Sequence, residues 1–238
     1  MIIIYIFTLF ESTFFPRSIF IEDKFNPASM CLGGIEVDVG IESKYGLSDL
    51  RTYTLHSGIK SYSINIISFG NDIYRENTVS AGASFSLTEE VTTGFSIAIL
   101  NYWVKENCNH YAYSCRIGGL YQKNPFKISG WINNINFPKF SNIDCIPPSY
   151  SLQLHYLPKN HLSLVFALRG IEKDIPFFNF GLSYSPHRMI MIGLGVNSDP
   201  MYLEYLLRLS VGKFTIDYTG SNHPYLGLSH FVIVGFNP

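Results

Sequence analysis

The sequence predicts an all-β fold, an antiparallel, up-and-down transmembrane β-barrel of about fourteen strands. Three observations predict it. First, large apolar residues alternate with small or polar ones down nearly the whole chain, the period of a strand whose two faces meet different surroundings. Second, aromatic residues make up 16% of the 238 residues and charged residues only 15%, against roughly 25% charged in an ordinary soluble domain. The apolar content of 47% is ordinary, so charge has given way to Ser, Asn, Tyr and Gly, the balance of strands with one face in lipid and the other in a polar lumen. Third, the segment GLSHFVIVGF (227–236) alternates and ends on a phenylalanine almost at the terminus, as a strand that closes a barrel does.

The elements follow in order. Met1 to Phe15 is apolar like the core of an export signal, but it lacks a basic start and a clean small-residue cleavage site. Residues 1–25 therefore read as a degraded or mis-started export signal, or 2–10 as a first apolar strand. Residues 26–238 read as one barrel domain. Its alternating segments are 35–44, a weaker one at 50–57, then 61–69, 77–87, 91–104, 110–123 and 126–134. The rest are 150–157, 161–169, 177–184, 189–197, 202–211, 213–219 and 227–236. The count is even, as bacterial barrels require.

Connections alternate in length. Short ones at 88–90, 122–125, 158–160, 185–188 and 212 are rich in Pro, Asn and Gly, the residues of tight hairpins. Longer ones fall at 70–76, 105–109, 135–148, 170–176, 198–201 and 220–226. An outer-membrane barrel has short periplasmic turns and longer outer loops, so both termini are expected on the periplasmic side.

One face of the segments is apolar and almost free of charge, with Val79, Phe85, Phe95, Ile97, Phe166, Phe180, Leu194 and Leu207 among its members. The other carries Glu76, Ser80, Ser84, Arg116, Gln153, His155, Arg169, Asn179, Glu204, Arg208, Lys213 and Asp217, with many glycines. An Arg or Lys on the lipid face costs ~2–4 kcal/mol at the bilayer midplane, a sufficient reason for the segregation. A soluble sandwich would also segregate, but its polar face would be wet and rich in Lys and Glu. Tyr45, Tyr62, Tyr74, Tyr102, Trp103, Tyr111, Tyr113, Tyr121, Tyr150 and Tyr156 cluster near segment ends, as an interfacial aromatic girdle does. The expected partner is therefore outer-membrane lipid. The formal net charge of −1 and the lack of a basic cluster argue against nucleic acid.

Several residues bear on chemistry. Glu76, Arg116, Arg169, Glu204, Arg208 and Asp217 are candidates for a luminal network, either binding a solute or pairing with one another. Asp217, His223 and Ser229 invite a hydrolase reading, but no GxSxG elbow accompanies them; pairing of Asp217 with Lys213 or Arg208 is the simpler expectation. The chain reads as a non-enzyme with no cofactor. Cys31, Cys108, Cys115 and Cys145 show no metal-ligand spacing, and Cys108 with Cys115 is a candidate local bridge. In the long connection INFPKFSNIDCIPP (135–148), Phe137 and Phe140 either cap the barrel's own rim or meet a partner.

The C-terminal half resembles the FadL-related outer-membrane barrels, and their PorV-like branch more closely. The residues that carry the resemblance are SYSP (183–186), GLGVNSDP (193–200) and KFTIDYTGSNHPYLGLSHFVIVGF (213–236), with SFGNDIYRENTVSAGASF (68–85) and FNPAS (25–29) upstream. The resemblance implies about fourteen strands and transport or handling of a hydrophobic or bulky solute. Alternatively, its PorV-like side implies a docking barrel with a closed lumen and a secretion-machinery partner. FadL-type transporters carry a substantial luminal plug, and residues 26–34 look too short to form one.

Overall fold

Alternation turns each of these segments into a strand. The structure, a computed structural model, describes residues 18–29, 34–106, 109–140, 145–159, 161–172 and 174–238. The strands are β1 (Ile35–Ser43), β2 (Arg51–Ile59), β3 (Tyr62–Gly70), β4 (Tyr74–Ser86), β5 (Val91–Val104), β6 (His110–Lys123) and β7 (Phe126–Asn133). They continue as β8 (Ser149–Lys159), β9 (Leu162–Ile171), β10 (Phe177–His187), β11 (Ile190–Ser198), β12 (Met201–Val211), β13 (Phe214–His223) and β14 (Gly227–Phe236). Every strand pairs antiparallel with its sequence neighbours, and β14 returns to β1, with Val39 opposite Val234. The sheet is thus a closed fourteen-strand barrel and leaves no edge unpaired. The ladders run without a break except for register shifts between Tyr156 and Lys159 and between Tyr184 and His187.

The strands run further than the alternation alone indicated. β4 begins at Tyr74, β12 at Met201, and β13 extends to His223. Three expected loops, 70–76, 198–201 and 220–226, shrink accordingly to two or three residues. Ladder hydrogen bonds explain the extension, because each strand continues for as long as its neighbour offers partners. The long-loop end keeps its larger connections at 44–50, 105–109, 134–148 and 172–176. The start of β1 and the end of β14 lie together at the short-turn end.

The face assignment holds across the barrel. Val79, Phe95, Ile97, Phe180, Leu194 and Leu207 face outward and are exposed, whereas Glu76, Gln153, Arg169, Asn179, Glu204 and Asp217 face inward and are buried. Some assignments need correction. Lys213 lies in the exposed β12–β13 turn rather than in the lumen. Tyr102 is buried inside the barrel and Tyr74 packs against it, so neither belongs to an outer girdle. Inward-facing Phe231 and Ile233 are apolar, and they pack on Ile21.

Ile21 marks the largest departure from the sequence expectation. Residues 18–29 lie inside the barrel, with Ser18, Ile19, Ile21, Asn26 and Ala28 almost fully buried. The stretch ahead of β1 is therefore long enough to plug the lumen. The boundary placed between residues 25 and 26 falls within this plug. The expected signal-like reading of residues 1–17 lies outside the described residues.

Candidate functional site

The lumen and the segment that fills it form the candidate site. The plug meets the upper wall first, near the long-loop end. There the backbone N–H of Ile19 donates to Glu204 Oε2 at 3.1 Å, and Gln153 Nε2 donates to the Ile19 carbonyl at 3.4 Å. The Ile19 side chain packs on Val165 and Ala167. Next, the Phe20 ring lies against a glycine patch: a Cβ at Gly181 or Gly193 would come within 2.9–3.0 Å of it. Gly181 stands opposite Gly195, with Gly193 next along the inner face of β11, and these three missing side chains make room for an aromatic ring.

The plug then turns through a short 3-10 turn (Glu22–Phe25) towards β1. Lys24 Nζ reaches Asp38 Oδ2 at 2.7 Å and Glu36 Oε1 at 3.2 Å. Lys24 and Asp38 are mostly buried, so this pair is screened less than a surface pair would be. Beyond it, Asn26 Nδ2 donates to the carbonyls of Gly119 and Gly130 on the far wall, while its Oδ1 accepts from the N–H of Ala28. The Pro27 carbonyl sits directly over Gly94, and Asn26 Oδ1 over Gly118, leaving no space for a Cβ at either glycine. The wall thus satisfies the Ile19 N–H and the Ile19 and Phe25 carbonyls, while the N–H groups of Ile21, Lys24, Ala28 and Ser29 donate within the plug itself, as burial demands.

Each predicted luminal residue can now be placed. Arg208 and Asp217 pair bidentately. Glu204 and Arg169 both act electrostatically on Tyr202, which stands near them below the long-loop rim. Arg116 donates from Nη1 to the Phe25 carbonyl at 2.9 Å and lies over the Trp131 ring, 5.2 Å from its centroid. Glu76 accepts from the Tyr74 hydroxyl at 2.6 Å. The six therefore divide among several places on the wall, and two of them, Arg116 and Glu204, hold the plug.

The hydrolase triplet is not assembled. Asp217 is engaged by Arg208, and His223 Nδ1 accepts the backbone N–H groups of Tyr225 and Leu226 at the rim. Six residues of one strand separate them, roughly 20 Å of backbone. Ser229 Oγ accepts the Tyr45 N–H. Among the described residues, no group of three or more His, Cys, Asp or Glu side chains could hold a metal ion. Cys115 and Cys145 are free thiols, and Cys108 lies outside the described residues.

The sequence reading missed Lys24, Asn26, Glu36, Asp38 and Glu42. The carboxylates were legible, since IEVDVGIES alternates Ile35, Val37, Val39 and Ile41 outward against Glu36, Asp38, Gly40 and Glu42 inward. Nothing local announces Lys24 and Asn26, whose partners lie on distant strands.

The luminal cavities between Phe25 of the plug and β1 to β7 are small. A luminal cavity of about 30 Å³ lies between Phe25, Arg116, Trp131 and the inner faces of β3 to β7. A cavity needs ~10–15 Å³ on this measure to hold one water, so this one holds about two or three. Above it, the β7–β8 loop folds inward. Phe140 is 1% exposed and packs with Ile146 on Leu100, Tyr102 and Ala112, whereas Phe137 is 45% exposed. Phe140 therefore caps the barrel's own mouth, and Phe137 does not share that role.

No family model matches the chain, and no curated protein matches it by sequence. Its fold is nevertheless similar to that of solved channels. The CymD monoaromatic hydrocarbon channel superposes with a TM-score of 0.64 at 10% identity, over 92% of each chain. The P. putida toluene transporter TodX gives 0.62 at 9% identity, over 90% of this chain and 92% of that one. A Pseudomonas aeruginosa FadL homologue gives 0.62 at 9% identity, over 94% and 95%. At such identities the likeness is one of fold.

Proposed function

We propose that this chain is a non-enzymatic integral outer-membrane channel for a hydrophobic solute, closed in the described state by its own N-terminal segment. The observation that carries the reading is how the plug is held. Hydrogen bonds and one buried ion-pair cluster fix residues 18–29 to a largely polar wall, with apolar packing added by Ile19, Phe20 and Ile21. A segment held mainly by exchangeable polar contacts leaves at lower cost than a continuous apolar core, because water replaces those contacts once it enters.

The membrane part rests on the outer surface. Its strands expose Ile, Leu, Val and Phe throughout, which in water would form a continuous apolar band far larger than soluble monomers carry. Tyr62, Tyr111, Tyr113 and Tyr156 stand exposed near strand ends, where an interfacial girdle belongs. With the short turns periplasmic, the start of β1 and the C-terminus lie on that side. The fold neighbours named as a monoaromatic hydrocarbon channel and a toluene transporter guide the choice of a small apolar solute.

The test is toluene uptake into liposomes carrying the purified protein, together with single-channel conductance. Uptake above that of empty liposomes, raised further by Lys24→Gln, is expected. A barrel that inserts yet passes neither toluene nor ions in either form overturns the channel reading in favour of a closed docking barrel.

A further inference from the structure

Charge on the outer wall has one sign. Every carboxylate on a strand faces inward: Glu36, Asp38, Glu42, Glu76, Glu204 and Asp217. Near the long-loop end, the charged side chains that strands turn outward are Arg51, the first residue of β2, and Arg75, the second of β4. Both are exposed. Thr52 stands opposite Phe69, and Gly70 stands opposite Arg75. Across the sheet, the position between the two arginines is therefore Gly70, which has no side chain. Two strand spacings put their Cα atoms roughly 10 Å apart.

The same transverse row continues the other way. Arg51 pairs with Ser43, Ser43 with His230, His230 with Gly220, and Gly220 with Tyr205. The Tyr205 ring fills the space over Gly220, and its hydroxyl hydrogen-bonds to that of Tyr218. The Tyr218 hydroxyl lies 2.7 Å from His230 Nδ1. When Tyr218 donates to Nδ1, Nε2 carries the ring proton and is itself a donor. A hydroxyl, an imidazole N–H and two guanidinium groups thus share one row of the outer wall, next to the hydrogen-bonded row of Ser68, Asn77 and Asn101.

The nearest loop carboxylates do not satisfy this row. Asp72 is fully exposed and meets Arg75 at 3.6 Å, a pair of little strength in water. Asp49 precedes Arg51 in an exposed loop. An arginine near the membrane interface costs only ~0–1 kcal/mol, so the row is tolerated where headgroups lie. Guanidinium pairs match phosphate oxygens in shape and charge.

We propose that Arg51, Arg75, Ser43 and His230 bind the phosphate of a phosphorylated glycolipid in the leaflet at the long-loop end, with Tyr205 and Tyr218 positioning His230. This inference rests on the membrane reading above. Native mass spectrometry of the detergent-extracted protein tests it, with diphosphorylated lipid A, dephosphorylated lipid A and inorganic phosphate as probes. The wild type is expected to hold diphosphorylated lipid A about tenfold more tightly than the dephosphorylated form, and R51Q/R75Q to lose that margin. Y218F should reduce it severalfold while keeping the heat-dependent gel shift of a folded barrel.

Equal binding of both lipids, or an unchanged preference in R51Q/R75Q, overturns the site. Competition by inorganic phosphate as effective as the lipid's own binding overturns the lipid as its ligand. R51K/R75K, which keeps the charge, stands in if R51Q/R75Q loses its gel shift. A wild type that shows no gel shift refutes the membrane reading instead, so the two failures are distinguishable.

Discussion

Arg208 and Asp217 stand directly opposite each other on β12 and β13, and their side chains meet bidentately, with Nε to Oδ1 at 2.5 Å and Nη2 to Oδ2 at 2.8 Å. Asp217 is 2% exposed, and Asp38 and Glu36 also act electrostatically on Arg208. Arg208 therefore links a wall carboxylate to the pair of carboxylates that holds Lys24 of the plug. Removing one partner strands a charge out of water. Asp217→Asn should destabilise the barrel by ~3 kcal/mol, the low end for breaking a buried pair, since Arg208 keeps some solvent contact. Urea unfolding in lipid vesicles measures it, and the double variant with Arg208→Gln should lose less than Asp217→Asn alone.

The Lys24 pair ties the plug to β1. Lys24→Gln should raise the open probability in planar bilayers and lower the unfolding free energy in urea by less than Asp217→Asn does, because Arg208 still acts on Asp38 and Glu36 once Lys24 is gone. Unchanged gating would show that Asn26 and Ile19 suffice to hold the segment.

Two adjacent glycines give a controlled comparison. A Cβ at Gly118 collides with Asn26 Oδ1 and the Pro27 ring, while one at Gly119 meets nothing within 4 Å. Gly118→Ala should displace the plug and expose residues 18–29 to protease added to solubilised protein, and Gly119→Ala should not. Equal digestion of the two would refute the seating of Asn26.

The β7–β8 loop offers a similar contrast. Phe140→Ala empties a buried aromatic site, a change worth ~3–5 kcal/mol in a well-packed core. Here the loss falls on the loop, so cleavage within 134–148 should accelerate while the gel shift of the barrel persists. Phe137→Ala, at an exposed position, should leave cleavage unaltered.

The outer face gives the test that separates lipid from water. Ile97 sits mid-strand in β5 and is 51% exposed. Ile97→Arg should cost ~2–4 kcal/mol in vesicle refolding if that face meets hydrocarbon. On a wet surface the same change would fall within about 0.5 kcal/mol.

The sequence by itself determined the barrel's wall. Side chains alternate strictly along a strand, so the pattern of residues such as Ile35, Val37, Val39 and Ile41 against Glu36, Asp38 and Glu42 assigns both faces from neighbours two positions apart. Turn residues then mark where each strand reverses, and the closing strand 227–236 matches the observed β14. Even Glu36 and Asp38 were legible by that rule.

Only the tertiary structure decided what fills the lumen. Residues 18–29 show no period, and their partners lie far along the chain: Ile19 meets Glu204, 185 positions away, and Asn26 meets Gly130, 104 away. The same holds for Phe140, whose burial depends on which wall the loop folds against. A local pattern records which face of a strand meets which surroundings. Which residue stands across an enclosed space follows from barrel closure, and closure is a property of all fourteen strands together.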